Sequence, residues 1–381
     1  TAYRRQRQMC IRDRFLAMVS CDHQRTTQPH HIKDSLAYDI ESIKIIPSND
    51  ILELKSYHIT SPFSCQNIDG IIAYNYRLHS LDLIDLYNHK EISSIPLQRE
   101  GPDGIPGRVA GIFPLSKDSI WVYDGIYMYL LNSAGRVNEK ITLEDRESLI
   151  INTNYAMNTA KFSYNPKRHS LLYLTRKDDF IVEEYDIKKR KIIKTYPLSY
   201  SIINPKGSLL YADMDAPNVN FVDNKIIYNY PYESTIYLLD MDSGKQLLID
   251  APSCYTSNKA QTCNANGYSI WERHRIENVH FYDIMYLPEC KTYIRLHIGG
   301  IDFSEKESVQ TLLDSRPIYM MAFDKDFNIM GESKLAGKRY SCFTGWCALK
   351  NSVLLFNENS LSDSISYETL NVDIISSIRG L

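Results

Sequence analysis

The densest run of side chains able to do chemistry is Trp271-Glu272-Arg273-His274-Arg275-Ile276-Glu277-Asn278-Val279-His280. Arg273, His274 and Arg275 could recognise a carboxylate or sulfate, with Trp271 as an aromatic platform beside the charge. His274, His280 and His297 are the residues from which a metal-assisted lyase or hydrolase would be built. Their spacing matches no helical zinc motif, so no metal ligand is assigned. Asp240-Met241-Asp242 and Asp324-Lys325-Asp326 mimic calcium-loop spacing, but neither continues with the required glycine and glutamate. Both read as hairpin turns. The sequence holds no GxSxG and no GxxxxGK, and no Cys–His pairing stands out. It assigns no catalytic residue, no cofactor and no metal, and it leans away from an enzyme.

The elements that must position these residues repeat. Six segments share a strand, a polar turn and a dense apolar-aromatic strand: CQNIDGIIAYNY, IFPLSKDSIWVY, FSYNPKRHSLLYL, NFVDNKIIYNY, IMYLPECKTYIRL and WCALKNSVLLFN. Their hairpin centres are Asp69-Gly70, Lys117-Asp118, Pro166-Lys167, Asp223-Asn224, Pro288-Glu289 and Lys350-Asn351, all turn formers. A second hairpin follows each of the first five, opened by Asp85, Asn132, Asp186, Asp240 or Asp324, whose side chains can bond the backbone two residues on. Two hairpins per period of roughly 50 to 65 residues make four strands per unit, the period of a propeller blade. The predicted fold is all-β: a six-bladed β-propeller of four-stranded antiparallel blades. Its ring is expected to close by pairing the early strands AYDIESIKII and ILELKSYHIT with the C-terminal ones, leaving no long edge open; seven blades is the competing count, should those two strands form a blade of their own. No segment keeps a helical period.

In that architecture the loops after each second strand and between blades gather at one mouth of the central channel, where ligands usually bind. The repeat register places Tyr76, Arg77, Asp124, Arg176, Tyr230, His297 and Asn357 after second strands. Arg108, Tyr155, Arg273 and His274 fall in inter-blade loops. Tyrosines mixed with Arg, Asn and Asp suit a glycan or peptide, through stacking and hydrogen bonds.

The chain of 381 residues carries 43 Lys+Arg against 46 Asp+Glu, with 28 tyrosines. No run of about 20 apolar residues exists that could span a bilayer as a helix. Residues 1–14, TAYRRQRQMCIRDR, resemble translated sequencing-adapter read-through; without their charges the body is more acidic, which argues against a nucleic-acid partner. Residues 15–21, FLAMVSC, look like the tail of a bacterial lipoprotein signal, with Cys21 the lipid acceptor. Residues 22–35 are polar and read as a flexible tether, and 36–381 as one propeller domain. Past an export signal, Cys254 with Cys263 and Cys342 with Cys347 are spaced as short-loop disulfides. Cys65 and Cys290 could pair or sit buried.

The repeat is similar to the six-bladed, TolB-like and NHL-like propellers. More narrowly, residues 21–381 resemble an uncharacterised family of bacterial lipoproteins. The likeness rests on Cys21, on Glu100-Gly101-Pro102-Asp103-Gly104-Ile105 between the first two blades, and on the Phe162-Ser163-Tyr164-Asn165-Pro166 hairpin. It implies a fold and no reaction. The expectation is a monomer, lipid-anchored in the cell envelope, binding a glycan, a peptide or an envelope protein. The rival readings are a secreted enzyme on the same face and a structural subunit of an envelope complex.

Overall fold

The computed structural model describes residues 24–26, 36, 38–45, 59–65, 68–88, 90–143, 151–152, 159–199, 211, 214–263, 267–335, 347–356 and 365–372. Four-stranded meanders follow one another along the chain. The first sheet is Thr60–Cys65, Ile68–Asn75, Ser80–Asp85 and Lys90–Pro96. The second is Gly111–Ser116, Ser119–Tyr123, Tyr127–Leu131 and Val137–Thr142; the third is Phe162–Asn165, Ser170–Arg176, Phe180–Asp186 and Lys191–Pro197. The fourth contains Asn218–Val222, Lys225–Asn229, Ile236–Asp240 and Gln246–Ile249. The fifth is His280–Leu287, Thr292–Ile298, Ile318–Phe323 and Ile329–Lys334. A terminal sheet joins Cys347–Ala348, Ser352–Phe356 and Ile365–Val372 to the early strand Tyr38–Ile45, which pairs antiparallel with Ile365–Val372 along its whole length.

Five of these sheets are four-stranded, antiparallel and arranged as propeller blades, against the six uniform blades the repeat predicts. The fourth sheet departs from the pattern because Gln24–Thr26 adds to it in parallel, beside Gln246–Ile249, giving five strands. An outer strand presents unpaired N–H and C=O groups, and the incoming segment satisfies them. Those three residues lie inside the stretch that composition marks as a tether.

The central strands of the sheets bury both faces, which is why the sequence shows dense apolar runs there instead of strict alternation, whereas outer strands such as Lys191–Pro197 keep an exposed face. In Ser119–Tyr123, Ile120 and Val122 pack against the first sheet while Trp121 and Tyr123 pack against the third. In Thr292–Ile298, Ile294, Leu296 and Ile298 face the terminal sheet, leaving Arg295 and His297 on the side of the fourth. Apolar clusters of this kind lie between first and second, second and third, third and fourth, fourth and fifth, fifth and terminal, and terminal and first sheets.

The turns opened by Asp85, Asn132, Asp186, Asp240 and Asp324 form as their residue types require. Each side-chain oxygen accepts a backbone N–H two to four residues on, as in Lys189 N to Asp186 Oδ1 at 2.8 Å. One hairpin centre is misplaced in the sequence reading: Asp69 and Gly70 lie inside the strand Ile68–Asn75. Gly70 serves close approach instead, since a Cβ there would meet the Ile84 carbonyl oxygen at 1.8 Å. Gly70→Ala should therefore push two paired strands apart and lower stability by about 1–3 kcal/mol, read by chemical denaturation.

Two short helices, α1 (Tyr268–Glu277) and α2 (Val309–Ser315), were not expected. α1 precedes the fifth sheet and α2 follows its second strand. Antiparallel order puts both at the same end of the sheets as the inter-sheet loops; this is termed the loop end, and the opposite one the turn end. Ile276, Leu312 and Leu313 pack the helices together, and Arg316 donates to the Gly299 and Asn278 carbonyls beneath them. No helix among the described residues is long and apolar enough to cross a membrane.

Candidate functional site

The candidate site is built where Lys161 meets the inner strand of the fifth sheet. Lys161 precedes the inner strand of the third sheet, and its ammonium pairs with Asp283 on the inner strand of the fifth. The fourth sheet stands between those two in the sheet order, so the pair joins sheets that are not neighbours. Asp283 is available because its strand shifts register between Phe281 and Ile284, which turns an otherwise apolar strand aside locally. Lys161 and Asp283 keep 38% and 23% of their side-chain surface in solvent, enough for a ligand to compete for either partner. Lys161 also lies near Cys347, whose thiol burial pushes up to about 12. A neutral, buried thiol of that kind is not a nucleophile.

The residues predicted at the channel mouth are mostly engaged in holding the loops. Arg108 sits 5.5 Å over the half-buried Tyr76 ring, and Arg77 is exposed. Asp124 is buried and accepts from the Ile126 and Tyr127 N–H groups and the Tyr129 hydroxyl, so it shapes a turn. Arg176 pairs with Asp215 at 3.3 Å and covers Phe180. Burial nonetheless raises the Asp215 carboxyl above its ordinary range. Tyr230 is fully buried in a stack with Tyr232, its hydroxyl donating to the Ser199 carbonyl. Arg273 pairs with Glu277 along α1 and lies over Phe303. His274 is buried, with Nε2 at 2.6 Å from the Gln261 carbonyl. Tyr155, Asn357, Cys21 and Cys342 lie outside the described residues. Cys254 is exposed and Cys263 buried.

The predicted loop 100–105 is a structural clasp. Gly101 adopts φ 90°, Gly104 N–H donates to the Gly101 carbonyl at 3.0 Å, and Asp103 accepts the Val137 N–H at 2.9 Å. It offers no phosphate cradle.

His297 belongs to a buried polar cluster at the seam of fourth and fifth sheets. Its Nε2 lies 3.1 Å from both Ser253 Oγ and Glu332 Oε1, while Ser253 Oγ donates to the same Glu332 oxygen at 2.5 Å. Cys254 N–H donates to Glu332 Oε2 at 2.7 Å. Burial lowers His297, so the ring is neutral with Nε2–H as donor; that tautomer follows from its partners. Burial alone would raise Glu332, but the bonds from His297, Ser253 and Cys254 outweigh it and hold the carboxyl below its usual range. Beside them Arg295, fully buried, donates to the Ser234 and Ala251 carbonyls at 2.6 and 2.7 Å, and burial brings it down to about 9.

Serine, histidine and glutamate together invite comparison with a hydrolytic triad, and the geometry answers it. In a triad the carboxylate binds Nδ1 and the serine Nε2. Here both crowd one nitrogen, Nδ1 has no hydrogen-bond partner, and the ring is sandwiched between Phe281 and Tyr319 with centroids at 5.2 Å on each side. The cluster is a structural clamp. His274, His280 and His297 are separately engaged, and no three His, Cys, Asp or Glu side chains among the described residues gather as a metal site.

Sequence reasoning missed Lys161, Asp283, Ser253, Arg295 and Glu332. The available signal was polarity out of place: Asp283 in HFYDIMYL, and Arg295 and His297 in TYIRLHI, interrupt apolar strands buried on both faces.

A family described as "Domain of unknown function (DUF4221)" matches residues 33–334. Among solved structures, a DUF4221 member from Bacteroides vulgatus is 15% identical, with a TM-score of 0.73 over 90% of this chain and 99% of its own. A putative exported protein from Bacteroides fragilis is 10% identical, with a TM-score of 0.54 over 88% and 95%. At such identity both likenesses concern the fold. No curated protein matches.

Proposed function

We propose, on the premise that the chain belongs to the DUF4221 family of unknown function, that it is an extracytoplasmic propeller binding a polar ligand at the loop end of its channel. The fourth sheet is read as a blade carrying one extra strand, which makes six blades, closed into a ring by Tyr38–Ile45 on Ile365–Val372. The ligand is a glycan or peptide, and no reaction is assigned to the site. Anchoring through a lipid on Cys21 in the cell envelope completes the reading. The fold likeness to a protein from Bacteroides fragilis described as a putative exported protein is in keeping with that reading.

The observation that carries binding over catalysis is the half-open Lys161–Asp283 pair, set against titratable groups such as His297 and Glu332 that are buried and bonded to one another. A ligand bearing both a donor and an acceptor can replace each partner of that pair without leaving a charge unsatisfied.

The test is a thermal-shift screen of the full chain against peptides and glycans, with and without chelator. A ligand at a hundred times its dissociation constant should add about 2.7 kcal/mol of stability. That gain should vanish in Lys161→Met and persist in Arg273→Ala. A gain that survives Lys161→Met would move the site elsewhere, and destabilisation by chelator would favour the enzymatic reading.

A further inference from the structure

We propose that the outer corner of the third and fourth sheets is a membrane-docking surface for anionic phospholipid headgroups. The chain is acidic overall, yet Lys188, Lys189, Arg190 and Lys191 run consecutively through the last turn of the third sheet and are all exposed. Lys189 is partly neutralised by Asp186 at 2.8 Å; Lys188, Arg190 and Lys191 extend the field outward. Arg190 holds φ 51°, a left-handed conformation in which asparagine or glycine would be more relaxed, so a cation stands at a position where local geometry disfavours it. On the strand that follows, Ile193 is exposed between Lys191 and Lys194. An apolar side chain within a basic row suits an interface of headgroups over acyl chains.

The second observation is where the N-terminal segment enters. Gln24–Thr26 pairs parallel with Gln246–Ile249, the strand that begins just after the turn holding exposed Lys245. Gln24, the first residue of that segment, therefore lies at the turn end of the fourth sheet. The basic edge is stitched to this place: Lys194 donates to the Met241 carbonyl, Arg168 pairs with Asp242 at 2.6 Å, and Gln246 donates to the Pro197 carbonyl at 3.0 Å. Cys21 precedes Gln24 by three residues, a reach of about 10 Å when fully extended. A lipid there would bring this corner, and not the loop end, against the bilayer. The loop end with Lys161 and Asp283 would then face away, open to ligand. The orientation rests on the lipoprotein reading; headgroup binding does not.

The test separates the two. Full chain carrying Cys21→Ser, which cannot be acylated at that position, is sedimented with phosphatidylcholine vesicles with or without phosphatidylglycerol. It should bind only the anionic vesicles, and more weakly as salt is raised. Each cation near such a surface contributes about fivefold to partitioning, so Lys188→Gln/Arg190→Gln/Lys191→Gln should lose about a hundredfold. The control Lys259→Gln/Lys306→Gln/Lys334→Gln, three exposed lysines at the loop end, should lose little. Equal binding to neutral vesicles, retention by the first triple variant, or stronger binding to a DNA oligonucleotide than to anionic vesicles would each overturn the proposal. Mass spectrometry of Cys21 in the unsubstituted chain tests lipidation separately.

Discussion

Glu332→Ala is expected to lower the unfolding free energy by about 3–5 kcal/mol, because it leaves buried donors unsatisfied at about 1–3 kcal/mol each and removes the carboxylate whose field offsets a buried guanidinium. Glu332 retains 1% of its surface and accepts hydrogen bonds from Ser253, Cys254 and His297. It is also the carboxylate whose field favours the charged form of Arg295, a guanidinium with no solvent exposure of its own. Alanine would leave Arg295 charged in an apolar seam and would free the Ser253 hydroxyl and Cys254 N–H inside it.

Two further variants make that result diagnostic. Glu332→Gln retains the shape but not the charge, so it should fall between wild type and alanine. Arg295→Met with Glu332→Ala removes both charges, and the double variant should lose less than the sum of the singles. Equilibrium denaturation in guanidinium reads all of them. A Glu332→Ala loss below about 1 kcal/mol would mean the carboxylate is solvated or unpaired, and the clamp would have to be abandoned.

The sequence made the sheets legible because turn chemistry is local. Asp223-Asn224 and Lys117-Asp118 form hairpins wherever they fall between apolar runs, and Asp186 or Asp324 needs only its own backbone to close a turn. The chemistry was much less legible because it depends on which blades meet. Lys161 and Asp283 are far apart in sequence, and nothing local in AKFSYNP marks a lysine that joins sheets that are not neighbours. His297 lies inside the second strand of the fifth sheet and not in the loop after it, and its ring is held between Phe281 and Tyr319, away from solvent. Periodicity gives a residue's position along a strand, whereas the direction of its side chain decides between solvent and seam. The helix Tyr268–Glu277 escaped for a related reason: only His274 and Ile276 are buried along it, too few to imprint an apolar stripe on the sequence.

The other large effect is set by protons. His280 is fully buried, and burial first, then the nearby Arg316 and Arg275 charges, lowers it well below its ordinary 6.5. Burial lowers His297 as well; Arg295 adds to the shift and the Glu332 carboxylate opposes it. Both rings are thus neutral in the fold at a pH where the unfolded chain begins to protonate them. The stability tied to their neutral state is fully present above about pH 6.5 and is lost as pH falls toward their lowered values. His280, lowered furthest, should contribute a slope approaching about 1.4 kcal/mol per pH unit, with smaller contributions from His297 and from His79, which burial also lowers, so stability should be lost before the ordinary carboxylates titrate. Glu332, whose carboxyl is held low, adds a further loss only at more acid pH. Denaturation midpoints followed from about pH 7.5 to pH 5 should therefore fall steeply. His280→Phe keeps an aromatic ring against Tyr282 while removing the titration that is shifted furthest, and should flatten the slope clearly. If that variant keeps the wild-type slope, His280 is protonated or solvated in the native protein, and the loss below neutral pH has to come from another group.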